Sequence, residues 1–305
     1  MRKAFAKRIE ELMDKDKRIV FLVCDMGPII FDSIREKYPD RFLNLGLTES
    51  SAMSISAGLA LEGKIPFIYT IATFVTEGCF EQVKVDVCYQ QTNVKIIGIG
   101  AGLTYGISGP SHQTISDIAM LRALPNMTIL VPADKFEAEA MTDVVLNHQG
   151  PVYMRIGFEG APEVNNEKKQ ISVAGSTVLS EGDDATILTY GSLVYTALLA
   201  ASSLRKKGCC VRVLNMYSLK PIDKRAILSA AEETKTIITL EDHNIYGGLG
   251  SIVSEIISES GLQLKFKRVG LNDKFCLDYG DFDFVLQKNE LSVNHIQQTI
   301  LKLLD

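Results

Sequence analysis

Two parts of the sequence combine residue types that can do chemistry, and the first is a carboxylate at the start of a helix. The apolar run at 42–47 predicts a strand broken by Gly46, and the pattern after it predicts a helix over 48–63, so that Glu49 falls in the first helical turn. An acidic residue in that place can simply complement the helix dipole. Alternatively, an apolar surrounding would keep its carboxyl protonated near neutral pH, as proton-transfer chemistry requires.

The second part is the segment GIGAGLTYGISGPSHQ at 98–113, which is rich in glycine and ends at His112 and Gln113. Its composition suits neither a helix nor a strand and predicts a loop. It lacks the spacing of a phosphate-binding or dinucleotide-binding glycine loop. A histidine in a long loop after a strand can be an active-site residue, the interpretation we favour, or a structural histidine whose ring nitrogens are satisfied.

Short apolar strands alternate with helices around both candidates. Strands are predicted at 18–24, 42–47, 66–69, 94–99, 127–131 and 152–156, and helices at 3–14, 48–63, 75–89, 115–123 and 133–147. This alternation predicts an α/β fold with a parallel sheet and helices on both faces. Catalytic residues in such sheets gather beyond the carboxyl ends of the strands, which is where Glu49 and His112 are expected.

A second α/β unit follows the first. The polar, turn-rich segment at 157–170 predicts a surface linker between them. After it, strands are predicted at 185–189, 210–216 and 236–240, with helices at 194–208 and 247–260. A chain of 305 residues is long enough for two such units, each with its own core.

Composition excludes several classes of protein. The 32 basic and 37 acidic residues give a net charge of −5, which argues against nucleic acid as a partner. No apolar run approaches the roughly 18 residues that span a bilayer, so we expect no membrane association. The six cysteines form no CxxC pair, which favours a reduced, cytoplasmic chain. The four histidines show no metal-ligand spacing, and we expect no metal ligands in this chain.

Several ordered segments resemble the C-terminal half of transketolase, in the form in which that enzyme is split into two polypeptides. They are FLNLGLTESSAMSISAGLALEGKIPFI, YGISGPSHQTISDIAMLRALPNMTILVPAD, EGDDATILTYGS, LNMYSLKPID and LEDHNIYGGLGSIVSEI. The resemblance runs from Arg2 to the final helix. It implies a pyrimidine-binding thiamine-diphosphate domain at 1–158, a linker at 159–172 and a transketolase C-terminal domain at 173–305.

The resemblance also implies roles for single residues at the cofactor. Glu49 matches the glutamate that hydrogen-bonds N1′ of the aminopyrimidine and so activates thiamine diphosphate, and His112 matches a catalytic histidine. Phe74 matches the aromatic residue that stacks on the pyrimidine, although it can also be a core phenylalanine. Asp25 matches an acidic residue near the cofactor, although it can also be a turn or cap residue. Ile71 stands where the family has a second aromatic residue of the pyrimidine pocket.

One family motif is missing from the sequence. Thiamine enzymes hold Mg²⁺ and the diphosphate with a Gly-Asp-Gly motif followed by an asparagine, and no such motif occurs here. The resemblance therefore implies that this chain holds only the pyrimidine end of the cofactor. An N-terminal transketolase subunit would supply the metal and diphosphate site, and the complete assembly would be an α2β2 heterotetramer.

The substrate pocket departs from the family pattern. Arg2 and Arg155 match the two arginines that grip a sugar phosphate, as planar guanidinium groups do well. Three other family positions are changed, since Gly100 replaces a phosphate-contacting histidine, Ile29 a serine, and Ser108 the acidic residue that reads a donor hydroxyl. These departures imply an anionic but non-standard sugar substrate.

We interpret the chain as the C-terminal subunit of a transketolase that transfers a two-carbon ketol unit. Three alternatives stay open on the sequence. They are chemistry like that of 1-deoxyxylulose-5-phosphate synthase, with pyruvate as donor, the beta subunit of a 2-oxo-acid dehydrogenase, and a non-catalytic assembly subunit. The single His112 argues against the dehydrogenase, whose loop carries two histidines, and retained Glu49 and His112 argue against the assembly subunit.

Overall fold

Six parallel strands form most of the first sheet. The computed structural model describes residues 1–27, 29–157, 159–165, 167 and 170–305. The six strands are β1 (Ile19–Val23), β2 (Phe42–Asn44), β3 (Ile65–Ile71), β4 (Lys95–Ile99), β5 (Thr128–Leu130) and β6 (Val152–Ile156). All residues of β1, β4, β5 and β6 are buried. A strand covered on both faces needs an almost continuous apolar run, which is the pattern that predicted these strands.

Helices cover both faces of this sheet, as the sequence predicted. They are α1 (Arg2–Lys15), α2 (Asp32–Lys37), α3 (Glu49–Leu61), α4 (Ala72–Thr76), α5 (Phe80–Gln82), α6 (Asp117–Arg122) and α7 (Lys135–Asn147), with a 3-10 turn at Pro39–Arg41 and a π-helix at Val83–Tyr89. Phe5 of α1 and Met141 of α7 belong to the apolar core on one face. Met53 of α3 and Ile118 of α6 belong to the core on the other.

The second unit is a smaller five-stranded sheet. Its strands are β7 (Thr177–Ser180), β8 (Ala185–Thr189), β9 (Val211–Asn215), β11 (Thr236–Asn244) and β12 (Lys265–Leu271), in the order β12-β11-β8-β9-β7. Of these five strands, β7 alone is antiparallel to its neighbour. The helices are α8 (Val194–Arg205), α9 (Lys224–Thr234), α10 (Leu249–Ser260), α11 (Phe282–Lys288) and α12 (Val293–Leu304), and a 3-10 turn at Gly191–Leu193 precedes α8. The two-domain α/β class is therefore confirmed.

A short strand from the second half of the chain completes the first sheet. β10 (Ser218–Lys220) pairs antiparallel with β5, giving the order β10-β5-β6-β4-β3-β1-β2. The sequence does not predict this strand, because three residues are too few to show a period. The two units are thus joined by backbone hydrogen bonds as well as by the connecting chain.

The segment at 75–89, for which the sequence predicts one helix, consists of short pieces. The end of α4 is followed by α5 and then by the π-helix at Val83–Tyr89. The break lies at Gly78, where a Cβ would lie only 2.7 Å from the carbonyl oxygen of Phe74. The prediction of one continuous helix was wrong, because hydrophobic periodicity does not report such a close backbone approach.

The segment after β6 is tied to the first unit instead of lying free on the surface. Its described residues form no helix or strand before β7. Asn165 is buried and donates to Asp134 Oδ2 from both its backbone N–H (2.8 Å) and Nδ2 (3.0 Å). Five residues lie outside the described residues, four of them in the predicted linker and domain boundary: Phe158, Asn166, Lys168, Lys169 and Pro28. The boundaries 1–158, 159–172 and 173–305 stay a prediction.

Among the helices of the described residues, none combines the length and the apolar character needed to cross a bilayer.

Candidate functional site

Glu49 begins α3, just after the chain leaves β2. Its Oε1 accepts a hydrogen bond from Oγ1 of Thr70, at 3.2 Å, and Thr70 is fully buried in the neighbouring part of β3. The Glu49 side chain itself is half-buried. The order of strand, turn and helix places the Glu49 side chain at the C-terminal ends of the strands of the first sheet. The hydrogen bond from Thr70 then orients its carboxyl group.

Glu49 and Phe74 line one cavity. This cavity has a volume of about 350 Å³ and is lined by Leu47, Thr48, Glu49, Ser50, Ser51, Phe74 and Gly78. Phe74 lies in α4, which follows β3, so adjacent elements present the carboxyl and the ring to the same space. A carboxylic acid beside an aromatic face suits a flat nitrogen heterocycle, because the ring can stack while the acid bonds a ring nitrogen. The residues present therefore fit the aminopyrimidine end of thiamine diphosphate.

His112 lies against the ring of Phe74. The two ring centroids are 5.4 Å apart and the rings meet edge to face, at 71°. Oγ of Ser111 lies 3.0 Å from Nδ1 of His112. The glycine-rich loop thus brings His112 next to the cavity of Glu49 and Phe74, although these residues come from three separate parts of the sequence.

Arg2 interacts electrostatically with Tyr105, a residue that the sequence did not single out. The ring of Tyr105 is 6.3 Å from that of His112, again edge to face. Nε of Arg2 donates to the hydroxyl of Tyr69 at 2.9 Å, and the Arg2 backbone N–H donates to Glu159. Burial raises the pKa of Tyr69 to about 12, although the charge of Arg2 acts in the opposite direction. Tyr69 therefore stays a neutral hydrogen-bonding group.

Gly100 makes room for Tyr105. A Cβ on Gly100 would lie 1.8 Å from Cε2 of Tyr105, and the backbone there has a φ of +67°. Glycine is thus required both by the left-handed conformation and by the ring. At the position where the family pattern has a histidine, this chain has a tyrosine ring packed over a glycine. A glycine five residues before a tyrosine was the only signal in the sequence, and it does not identify the contact.

Arg155 is not placed to grip a substrate anion, and this corrects the expectation from the sequence. It is 1% exposed, and its Nε and Nη1 donate to Asp117 and Asp242, each at 2.9 Å. Its Nη2 donates to the carbonyl oxygen of Thr114 at 3.2 Å. These protein partners occupy the guanidinium group and shield it from solvent. Arg155 joins β6, the end of the glycine-rich loop and the second unit, which is a structural role.

The other residues singled out by the sequence do not line the cavity of Glu49 and Phe74. Asp25 is exposed after β1, with a φ of +51°, and its backbone N–H donates to Asn44. Ile29 is 85% exposed and Ser108 is exposed in the glycine-rich loop. Ile71 ends β3 and is half-buried. Their predicted contacts to cofactor or substrate stay predictions.

A third acidic group, Glu241, is buried in the same region as Asp117 and Asp242. Glu241 of β11 is fully buried and accepts hydrogen bonds from the backbone N–H groups of Leu249 and Gly250, at 2.7 and 2.9 Å, at the start of α10. Burial raises the pKa of Glu241 to about 7, although these two N–H donors act in the opposite direction. The carboxyl therefore retains a proton to a higher pH in the folded chain than in the unfolded chain.

This raised pKa has a measurable consequence for stability. Between the ordinary value of 4.5 and about 7, the folded chain binds more protons than the unfolded chain, so the contribution of Glu241 to stability is lost as pH rises through this window. A shift of this size corresponds to roughly 3 kcal/mol. We expect the free energy of unfolding of the parent protein to fall relative to that of Glu241→Gln between these pH values, measured by urea unfolding. Parallel pH profiles would contradict the assignment.

Within the part of the chain that the structure describes, no group of three or more His, Cys, Asp or Glu side chains is arranged to hold a metal ion.

Comparison with known proteins places both units in one family. Residues 1–157 match the family model described as transketolase, pyrimidine binding domain, and residues 175–288 match transketolase, C-terminal domain. An apulose-4-phosphate transketolase subunit of Phocaeicola vulgatus is 39% identical over 275 residues, which cover 90% of this chain and 88% of the relative. The 6-deoxy-6-sulfo-D-fructose transketolase subunit SqwH of Clostridium sp. (strain MSTE9) is 33% identical over 297 residues, covering 97% and 92%.

A solved structure shares the whole arrangement. It is described as a split gene transketolase, inactive beta4 tetramer, and is 37% identical, with a TM-score of 0.90 over 99% of this chain and 97% of that one. With 99% of this chain covered, the agreement extends over both sheets. Since both family models and near full-length relatives match, the chain belongs to the transketolase family and spans its pyrimidine-binding and C-terminal domains.

Proposed function

We propose that this chain is the C-terminal subunit of a two-chain, thiamine-diphosphate-dependent transketolase that transfers a two-carbon ketol unit between anionic sugars. One observation carries the proposal. The carboxyl of Glu49 and the ring of Phe74 line the same cavity, and His112 lies against that ring. The names of the two relatives described above, both of which are transketolase subunits, support the two-chain arrangement.

Each of the three residues has a defined task in this proposal. Glu49, oriented by Thr70, holds a proton at N1′ of the aminopyrimidine. Phe74 stacks on the pyrimidine and excludes water from one of its faces. His112 donates a hydrogen bond to a substrate oxygen at the open side of the cavity. Thiamine diphosphate, when bound, supplies the electron sink that makes cleavage of a carbon–carbon bond possible.

The partner chain completes the site. The described residues offer no cluster of metal ligands, and the sequence has no Gly-Asp-Gly motif. We assign Mg²⁺ and the diphosphate to an N-terminal transketolase subunit that carries Gly-Asp-Gly and the following asparagine, in an α2β2 heterotetramer. The half-buried Glu49 supports this assignment, because the dry surrounding that its role requires must come partly from another chain. We place the assembly in the cytoplasm, consistent with six free cysteines.

The substrate end of the site is proposed to lie at Arg2 and Tyr105. Nε of Arg2 is held by Tyr69, whereas its two terminal nitrogens have no hydrogen-bond partner among the described residues. They can therefore take a phosphate or sulfonate oxygen. The two relatives described above are named for a phosphorylated and a sulfonated sugar, which supports an anionic substrate. Gly100 and Ser108 replace the histidine that contacts the phosphate and the acidic residue that contacts a donor hydroxyl in the family pattern. Because these two contacts are absent, we expect the site to select a non-standard sugar.

Steady-state kinetics of the two-chain complex tests this function. With ribose 5-phosphate as acceptor, we expect ketol transfer from xylulose 5-phosphate at an efficiency well below about 10⁶ M⁻¹s⁻¹, because His and Asp contacts are absent. Arg2→Gln should raise KM for an anionic donor about tenfold with little change in kcat, since one charge-assisted contact is lost. The control is Arg18→Gln, whose guanidinium pairs with Asp16 on the surface.

Two results would count against the assignment. Efficient condensation of pyruvate with an aldose phosphate, without ketol transfer from a ketose, would favour the synthase chemistry. Equal effects of Arg2→Gln and Arg18→Gln would remove Arg2 from the substrate site.

A further inference from the structure

A cavity lies on the second unit, away from Glu49. It has a volume of about 620 Å³, within the range typical of small-molecule sites. It is bounded by the outer edge of β12 and by one face of α12, and Ile245 and Glu290 complete the rim. The function proposed above makes no use of this cavity.

Its walls are basic. Lys267 and Arg268 of β12 and Lys302 of α12 line it, with His295 about two turns before Lys302 along the same helix. Among the described residues that line the cavity, Glu290 alone is acidic. None of the three cations forms an ion pair with any residue that the structure describes, although most described arginines of this chain do. In a chain with a net charge of −5, such an uncompensated group of cations attracts anions.

Arg268 is held in place without being neutralised. Its Nη1 donates to the carbonyl oxygen of Ile245 at 2.9 Å. Its aliphatic stem lies over Gly250 of α10, where a Cβ would come within 2.8 Å of Cγ and Cδ. Its Nε and Nη2 have no hydrogen-bond partner among the described residues. A guanidinium group fixed in this way is ready to bind phosphate oxygens with two parallel hydrogen bonds.

The edge of β12 adds backbone donors. β12 is the last strand of its sheet and, among the described strands, pairs with β11 alone, so the N–H groups on its outer edge have no neighbouring strand to bond. Residues of this strand line the cavity. Lysines on an edge strand also prevent association between sheets, and that role needs no ligand. It does not account for Lys302 and His295, which come from a helix and close the opposite side.

We propose that this cavity binds a small ligand through a diphosphate or longer phosphate chain, held by Lys267, Arg268 and Lys302. This is a second anion site, independent of the thiamine site.

Calorimetric titration of the full chain with inorganic pyrophosphate, without metal, tests the proposal at an ionic strength of about 0.15 M. We expect one pyrophosphate per chain, with a dissociation constant between about 1 μM and 1 mM. Lys267→Gln/Lys302→Gln should weaken binding at least about tenfold, since two charge-assisted contacts are lost. These two side chains have no hydrogen-bond partner among the described residues, so the double variant should fold. Arg268→Lys retains the positive charge but loses the two parallel hydrogen bonds of the guanidinium group, and it should weaken binding less than the double variant does.

The matched control is Lys206→Gln/Lys207→Gln, which removes the same charge from two exposed lysines at the end of α8. Glu49→Gln should leave pyrophosphate binding unchanged, which separates this site from the thiamine site. Absence of binding up to millimolar pyrophosphate would overturn the proposal. An equal loss in the control would also overturn it, because it would show diffuse attraction to the whole surface.

Discussion

Replacing Glu49 with glutamine in the assembled two-chain enzyme is expected to slow exchange of the C2 proton of thiamine diphosphate by about 10²–10⁴-fold, the range lost when a general acid–base group is removed. The glutamine amide has nearly the same shape, but it has no acidic proton to hold at N1′. The exchange rate, followed by NMR after mixing with deuterated buffer, reports this step without depending on the sugar. Ketol transfer should fall with it.

A matched control is available just after the same helix. Glu62 is exposed and follows the last residue of α3, so Glu62→Gln removes one carboxylate without touching the cavity. It should leave proton exchange unchanged. Thr70→Val, which removes the hydroxyl that donates to Glu49, should give a smaller loss than Glu49→Gln. Exchange at the parent rate in Glu49→Gln would remove this residue from cofactor activation.

The second large effect is expected on stability, at Arg155. Arg155→Met leaves Asp117 and Asp242 buried without their cation, and removing one partner of a buried ion pair costs about 3–5 kcal/mol. The free energy of unfolding, measured in urea, should fall by this amount. Asp242→Asn should cost less, because Arg155 keeps its bond to Asp117.

Arg122→Met serves as the control for this measurement. Arg122 pairs with Glu255 on the surface, with Nη1 3.0 Å from Oε1, and Glu255 is 55% exposed. An exposed pair of this kind contributes about 0–1 kcal/mol. A loss at Arg155→Met no larger than at Arg122→Met would contradict the structural role of Arg155. If Arg155→Met fails to fold, Asp242→Asn still measures the contribution of the network.

The sequence predicted the fold where local pattern decides it. Buried parallel strands must be apolar along almost their whole length, so β1, β4 and β6 could be predicted from the sequence. The order of strand and helix predicted Glu49 at the start of α3. β10 was not readable, because its place in the first sheet depends on pairing with β5 across the chain. The broken helix at Gly78 likewise depends on a backbone contact.

The candidate site was predictable only in part, for the same reason. Glu49 and Phe74 line one cavity and His112 lies against the ring of Phe74, whereas their roles at the cofactor stay predictions from the resemblance to transketolase. The expectation that Arg155 grips a sugar phosphate was not met. A single sequence does not show that two carboxylates from distant segments neutralise this arginine. Tyr105 was missed, because its position over Gly100 results from the packing of a long loop.

The central claim is that this chain holds one half of a composite thiamine site. Calorimetric titration with thiamine diphosphate and Mg²⁺ tests it most directly, first with this chain alone and then with an equimolar partner carrying Gly-Asp-Gly and the following asparagine. The Lys267→Gln/Lys302→Gln background weakens binding of the diphosphate at the separate anion cavity. In that background we expect no stoichiometric binding by the chain alone and one cofactor per pair of chains in the complex. Tight one-to-one binding by the chain alone would contradict the account.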